Sequence, residues 1–585
     1  MQSNKKILVT TALESTWGSK EPIVFLGEWC KKYSMRKIWK LRDYETFDYH
    51  WRDRKKLTKD HKYLETLNES LLQEITIFLN NYHNVKKSTH YWRIIIGPWL
   101  VIYISIIWDR WESISVALDN NEELETFLLE NALPRNIAND FVSFRAALDS
   151  DRWNHGIFGD ILRERANSKI KIIPIKSQLL NETILPKLKL TFRQKFLRLL
   201  ANITDTFIKV ISSKNQKIVF FHSYFRRKYL LHFYLKLQLW PRWHTSLKEG
   251  IHYPKAKNRE HLSLKKIDTD NKFEKYLFQS ILRDIPISYL EGYKDLRIAA
   301  NKLVNAKTIF TANAYIGNEL FKVWSAEQVH SGSRLIISSH GGAFYPLYNW
   351  FNHEEKIGDP SIVWGKEWDD SQTRMPSNKI YFKVKDYDQG GRLLFVDYET
   401  TRYGFRCVSV PMGPLVLDVF NHNNQFLKSL DQSIINNVRV RPKSLGSWET
   451  ELRYKDNFGE NIISKVPTIL KDIERSKIVV CSYPQTCFTE SMFAGIPTIL
   501  LLTKENWECK AIYDDLFLEL ERAKILHFNP VEAASHVKEI YSDPMLWWQS
   551  EKVLLARKKF DEICLTIADN PINEWTQFFK NINLR

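Results

Sequence analysis

Short apolar runs of strand character recur along this chain, and patterns of helical period separate them. In the first half the runs are Ile7–Thr10, Ile23–Leu26, Ile218–His222, Thr308–Thr311, Leu335–Ser339 and Ser361–Trp364. The spacing predicts helices over Tyr63–Tyr82, Asn121–Glu130, Lys189–Val210 and Lys272–Arg283. A second series follows residue 390, with strands at Arg392–Val396, Val438–Arg441, Lys477–Cys481 and Thr498–Leu502 and a helix over Asp418–Leu430. Parallel neighbours need a crossover, so strands alternating with helices imply parallel sheets built from βαβ units. The expected fold is α/β: two Rossmann-like domains facing across a cleft, with helical insertions in the N-terminal one. The expected bounds are 1–364 for the first domain, 365–391 for a polar connection and 392–545 for the second domain. A C-terminal helix over 546–585 is expected to cross back over the cleft. In open α/β sheets ligands bind outside the carboxyl ends of the strands, so residues just past those ends are the candidates.

Composition narrows the class. A chain of 585 residues with 44% hydrophobic and 26% charged residues is globular rather than disordered. Its formal charge of +17 favours phosphorylated substrates, polyanions or an anionic membrane surface. No long basic run appears, which argues against a nucleic-acid partner. Six cysteines show no CxxC pair and no Cys/His cluster of zinc spacing, and they fit a reducing, cytoplasmic compartment. The most apolar run, Ile94–Trp108, is about 15 residues, short of the ~20 that a spanning helix needs. Gly97-Pro98 interrupts it, and it reads as a buried helix starting near Pro98. Residues 135–300 contain basic amphipathic segments, TFRQKFLRLL and FRRKYLLHFYLKL. They read as solvated helix faces over a core; the functional reading is an insertion that meets a lipid-linked or anionic acceptor.

The clearest local mechanics lie in KIVVCSYPQTCFTESMFAGIPTILLL, residues 477–502. A strand ends at Cys481, a turn follows, and Thr486 is the expected N-cap of a helix stopped by Gly495 and Pro497. A helix start at a parallel strand's carboxyl end offers free N–H groups to a phosphate. Ser482 and Thr486 add hydroxyls, and Glu490 suits sugar or ribose hydroxyls. A plain βαβ corner would read the same way without the Ser/Thr-rich turn.

This corner resembles the donor-binding corner of GT-B glycosyltransferases, through Glu490 and the E-x-x-x-A-G-x-P run to Pro497. Further segments narrow the resemblance: LVTTALESTW (8–17), FLGEWC (25–30), YHWRDRKKL (49–57), YWRIIIGPWL (91–100), SSHGGAFY (338–345), HEEKIGD (353–359) and WW-x-S-x-x-V-x-x-AR (547–557). Together they resemble the transferase family encoded in bacterial O-antigen and surface-carbohydrate clusters, first named from Leptospira. That family's glycine segment more often reads QHGG-x-YG; here Ser339 replaces the Gln and Phe344-Tyr345-Pro346 follows. The resemblance implies a glycosyltransferase with a nucleotide-sugar donor and no other cofactor. Its acceptor would be a surface polysaccharide or a lipid-linked glycan, reached at the inner face of the cytoplasmic membrane. No DxD motif in strand context appears, since Asp369-Asp370 lies in the polar connection. Positive helix ends and arginines would therefore have to stabilise the leaving phosphate without a metal. The rivals are a CDP-alditol-type phosphotransferase, a nucleotide-sugar epimerase, and a non-catalytic component of polysaccharide assembly.

His340 follows the strand Leu335–Ser339, and Gly341 and Gly342 permit close backbone approach. His340 and Glu354, with Glu28 after the strand Ile23–Leu26, are the expected proton-transfer or acceptor-hydroxyl groups. Arg439 and Arg441 share a strand face and suit a pyrophosphate, as does Arg402 after the strand Arg392–Val396. His50 and Arg54, near Asp53, are placed on the acceptor side. Expected convergence is of Arg439, Arg441, Ser482, Thr486 and Glu490 on one pocket, facing His340 and Glu354, with Glu28 nearby.

Overall fold

A computed structural model describes residues 5–120, 123–130, 137–165, 169–176, 196, 199–205, 207, 215–241, 247, 252–264, 269–379, 387–443 and 447–584. Three five-stranded, wholly parallel sheets form its frame. The first contains β1 (Lys6–Val9), β2 (Ile23–Phe25), β3 (Tyr44–Thr46), β4 (Leu124–Leu129) and β5 (Ile170–Ile175), in the order β3-β2-β1-β4-β5. The second runs in simple succession through β6 (Asn215–Phe220), β7 (Asn305–Thr311), β8 (Arg334–Ser338), β9 (Ser361–Val363) and β10 (Gln372–Arg374). The third holds β11 (Arg392–Val396), β12 (Val438–Arg441), β13 (Ser476–Cys481), β14 (Thr498–Leu501) and β15 (Leu526–His527), in the order β12-β11-β13-β14-β15. The parallel α/β architecture is as expected. The first strand series, however, is shared between two sheets: β5 ends the first, and β6, paired with β7, begins the second.

Local departures have physical reasons. Asn121–Glu130 was expected as a helix, yet Leu124–Leu129 is β4, paired with β1 and β5. Leu124, Thr126 and Leu128 are buried and alternate with half-buried Glu125 and Phe127. That period of two, satisfied on both edges, overrides the helix propensity of Leu and Glu. Most of Lys189–Val210 lies outside the described residues; 199–205 are helical. β3, β5, β10 and β15 were not anticipated, and β10 falls inside the polar segment 365–391.

The apolar run forms the Thr89–Asp119 helix, which starts nine residues before Pro98 because the Ser88 hydroxyl caps it, accepting from Tyr91 N at 3.2 Å. Pro98 sits inside the helix, where it normally costs about 3 kcal/mol. Burial of 23 of the 31 residues offsets this, since each fully buried Ile or Leu contributes about 1.5–3 kcal/mol. This helix is long and apolar enough to cross a membrane, yet 89% of its most apolar window is buried inside the protein. Gly97 has no room for a Cβ, because the His353 ring packs against it.

At the C-terminus, Glu551–Cys564 packs Val553, Ala556 and Phe560 onto the core beneath the third sheet. Pro571–Leu584 packs Trp575 and Phe579 against Phe220 and Phe310 of the second sheet. The tail therefore packs against both the second and the third sheet.

Candidate functional site

The third sheet reverses its strand order between β11 and β13, and such reversals open a crevice at the carboxyl ends. A cleft of about 480 Å³ lies there, closed on its far side by the loop after β8. β11 and β13 contribute Tyr398, Thr400 and Tyr483; the loop after β8 contributes His340, Gly341 and Gly342. Thr486, Glu354, Arg145, Arg406 and Lys443 add further polar groups to the lining.

The glycine loop sits directly on the start of the Thr486–Ala494 helix. Gly342, at φ +93°, donates its N–H to Thr486 Oγ1 at 3.0 Å. A Cβ on Gly342 would stand 2.7 Å from Gln485 Oε1, and one on Gly341 would strike Thr486 Oγ1. Gln485 Nε2 in turn donates to Phe344 O at 3.0 Å. Thr486 was expected as the N-cap, but Gln485 holds that position and Thr486 is the first helical residue. Its hydroxyl faces the other sheet and accepts from Gly342 instead.

Burial sets the charges. It pushes the His340 imidazole down to about 4, with the Lys379 and Arg406 cations adding to the effect. His340 is therefore neutral at physiological pH, and its buried Nδ1 has no partner among the described residues. A neutral imidazole with an unused nitrogen can accept a proton. Glu354 is pushed up by burial and accepts a hydrogen bond from Tyr315 Oη. Glu355 beside it is pushed up to about 7, by burial and then by Glu354.

Three cations face these groups. Burial lowers Arg145, Lys443 and Arg406, the last to about 10, so Arg406 remains charged at neutral pH. The Arg406 guanidinium lies 4.5 Å from the Phe405 ring centroid, and its Nε has no partner among the described residues. None of the three pairs with a described carboxylate. Unpaired cations beside a hydroxyl and a glycine backbone suit a phosphorylated ligand.

Of the expected residues, His340, Gly341, Gly342, Glu354 and Thr486 line this cleft. The expected convergence of the arginines is not found. Arg402 is buried in an ion pair with Asp151 at 2.9 Å and bonds Trp29 O, away from the cleft. Arg441 pairs with Asp472 at 2.8 Å and lines a separate depression of about 420 Å³. Arg439 donates to Val438 O and Asn436 O beside its own strand. Strand alternation put both arginines on one face, as expected, but that face turns toward Asp472 and solvent rather than the Thr486 helix. Ser482 is buried and donates to Val396 O at 3.2 Å, bracing β13 on β11. Glu490, one turn into the helix, lies 3.7 Å from Lys379. Glu28 does not reach the cleft and pairs with Lys31 at 2.8 Å. His50 is buried against Asp109 at 3.2 Å, and Arg54 pairs with Glu508 at 2.6 Å, bridging the first and third sheet units.

Arg145, Arg406 and Lys443 escaped sequence reasoning. Arg406 stands four residues past Arg402, and Lys443 two past Arg441. The strand-end rule located the right loops and the wrong side chains. A scan for basic residues in those loops with no acidic neighbour would have found both.

The chain belongs to the LIC12162 family of transferases, whose family model matches residues 6–579. No curated protein matches it. Among solved structures it is similar to a proposed UDP-N-acetylglucosamine 2-epimerase from Listeria monocytogenes, at 11% identity over 53% of this chain and 86% of that one, with a TM-score of 0.31. MurG from Acinetobacter baumannii is 11% identical over 49% of this chain and 76% of that one, with a TM-score of 0.29. The spinosyn forosaminyltransferase SpnP is 10% identical over 48% and 76%, with a TM-score of 0.26. At these scores the likeness assigns no activity.

Proposed function

We propose that this transferase is a metal-independent glycosyltransferase that moves a sugar from a nucleotide-sugar to a surface-polysaccharide or lipid-linked glycan. The setting is O-antigen or capsule synthesis at the inner face of the cytoplasmic membrane. One observation carries the reading: a neutral His340, its Nδ1 without a partner among the described residues, shares the cleft at the carboxyl ends of two parallel sheets with Arg406, Arg145 and Lys443. In the proposed step an acceptor hydroxyl oxygen attacks the anomeric carbon and gives its proton to His340. The bond from that carbon to the diphosphate oxygen breaks, and the diphosphate leaves with the electron pair. Arg406, Arg145 and Lys443 stabilise the charge that develops on it. Gly341 and Gly342 let the transferred sugar lie against backbone. Glu354, held by Tyr315, is placed to orient a sugar hydroxyl.

Product analysis tests the reading and separates its rivals. The chain is incubated with a panel of nucleotide-sugars and bacterial glycan extract, and products are weighed by mass spectrometry. Release of a nucleoside diphosphate with a gain of one sugar on the glycan is the expected result. Release of a nucleoside monophosphate would indicate phosphotransfer, and an isomerised nucleotide-sugar would indicate epimerisation. No turnover with any donor would favour a non-catalytic role.

A further inference from the structure

Positive charge is concentrated in one stretch of this sequence. Residues 183–248 contain 14 Lys and Arg and one acidic residue, Asp205, a net +13 out of the chain's +17. Apolar side chains reach solvent in the same stretch. Among the described residues, 9 of the 23 large exposed apolar or aromatic side chains fall between Phe196 and Trp240.

The Arg227–Lys236 helix shows how this arises. Its inner face packs Phe233, Tyr234 and Leu237 against the second sheet and the tail residues Trp575 and Phe579. Its outer face repeats every four residues through Arg227, Leu231 and Leu235, with Lys228 and Lys236 exposed alongside. Leu235 is 79% exposed, and Trp240, just beyond the helix, is 53% exposed. Residues 199–205 are also helical, and Leu199, Leu200 and Ile203 are exposed at helical spacing. Cations alternating with exposed Leu and Trp match the boundary between lipid headgroups and acyl chains. Lysine and arginine draw the surface to anionic lipid, and the apolar stripe then inserts. A surface for nucleic acid would use the cations without an exposed leucine stripe.

We propose that the outer face of the Arg227–Lys236 helix, with Trp240 and the exposed residues of 199–207, docks on an anionic lipid bilayer. The proposal stands on charge and exposure and not on glycosyl transfer, so either reading can fail alone.

The test is co-sedimentation of the full chain with vesicles of phosphatidylcholine, alone or mixed with phosphatidylglycerol, at low and high salt. Binding to the anionic vesicles is expected to exceed binding to the neutral ones by about 10-fold or more, and to weaken as salt rises. Leu231→Glu/Leu235→Glu/Trp240→Glu is expected to lose most of that binding while keeping its melting temperature. If the triple variant fails to fold, Leu235→Glu alone, at the most exposed position, serves instead. No binding by the natural chain, or equal binding by a folded variant, would overturn the proposal. So would tighter binding to a single-stranded DNA oligonucleotide than to vesicles, unaffected by the apolar substitutions, which would mark a polyanion surface.

Discussion

The first and third sheets share a reversal in strand order and differ in what occupies it. Between β11 and β13 the strand ends frame an open cleft with unpaired cations. Between β1 and β4 they are packed shut. His155 accepts from Leu129 N at 3.2 Å and meets Thr10 Oγ1 at 3.3 Å, bridging the two strand ends. Trp29 Nε1 donates to Thr10 O at 3.0 Å, and Asp151 accepts from Ala12 N at 3.2 Å. Arg402, from the loop after β11, completes the plug through Asp151 and Trp29 O. Two residues on, Gly404 O accepts from the buried Arg110, and then the loop delivers Arg406 to the open cleft. A reversal supplies a crevice; what fills it decides between binding and bracing. Here the closed crevice of one sheet anchors the loop that carries a cation into the open crevice of another.

Breaking the closed crevice should have the largest effect. Asp151→Ala leaves Arg402 buried without its partner, which costs about 3–5 kcal/mol. Chemical denaturation should show that loss, and hydrogen exchange should show faster opening of residues 398–412. Unchanged stability would mean that Arg402 is not held as described. In the open crevice, His340→Ala should lower turnover by about 10²-fold or more while the melting temperature holds. Parallel loss of both would make the histidine a packing residue.

Acid sharpens the comparison further, because each crevice holds a buried neutral histidine. His155 and His340 are both pushed down to about 4, first of all by burial. The unfolded chain takes up their protons near pH 6.5, before the folded chain does. Their contribution to stability is thus complete above about 6.5 and is lost as pH falls toward 4. His340→Gln should remove part of that slope, and wild-type turnover should show no acid limb near 6.5 arising from this group. The smallest expected effect is at the glycine loop. Thr486→Ala removes one hydrogen bond between the second and third sheet units, about 1 kcal/mol, read as a small fall in melting temperature or nucleotide affinity.

Much of this was legible in the sequence, for local reasons. β11 to β14 of the third sheet, the His340-Gly341-Gly342 loop and the helix start beside Thr486 follow from short apolar runs, glycines and terminal signals within a few residues. The split of the first strand series was not legible, because β4 and β5 read as helix or irregular chain until their neighbours are known. Nor were the ligands of the arginines. Arg402 and Arg441 occupy the expected strand ends, but their partners Asp151 and Asp472 lie 251 and 31 residues away. Position beyond a strand names the edge of the sheet; only packing says which guanidinium is left without a carboxylate.

The central claim is that the cleft between the second and third sheets binds the diphosphate of a nucleotide through Arg406. Isothermal titration with UDP, GDP, CDP and dTDP, on the natural chain and on Arg406→Ala and Arg441→Ala, tests it most directly. At least one nucleotide should bind, with affinity lost by about 10-fold or more in Arg406→Ala, as for a charge-assisted hydrogen bond of 1.5–3 kcal/mol, and kept in Arg441→Ala. Binding that survives Arg406→Ala and fails in Arg441→Ala would move the site to the separate depression, and no binding of any nucleotide would contradict the account.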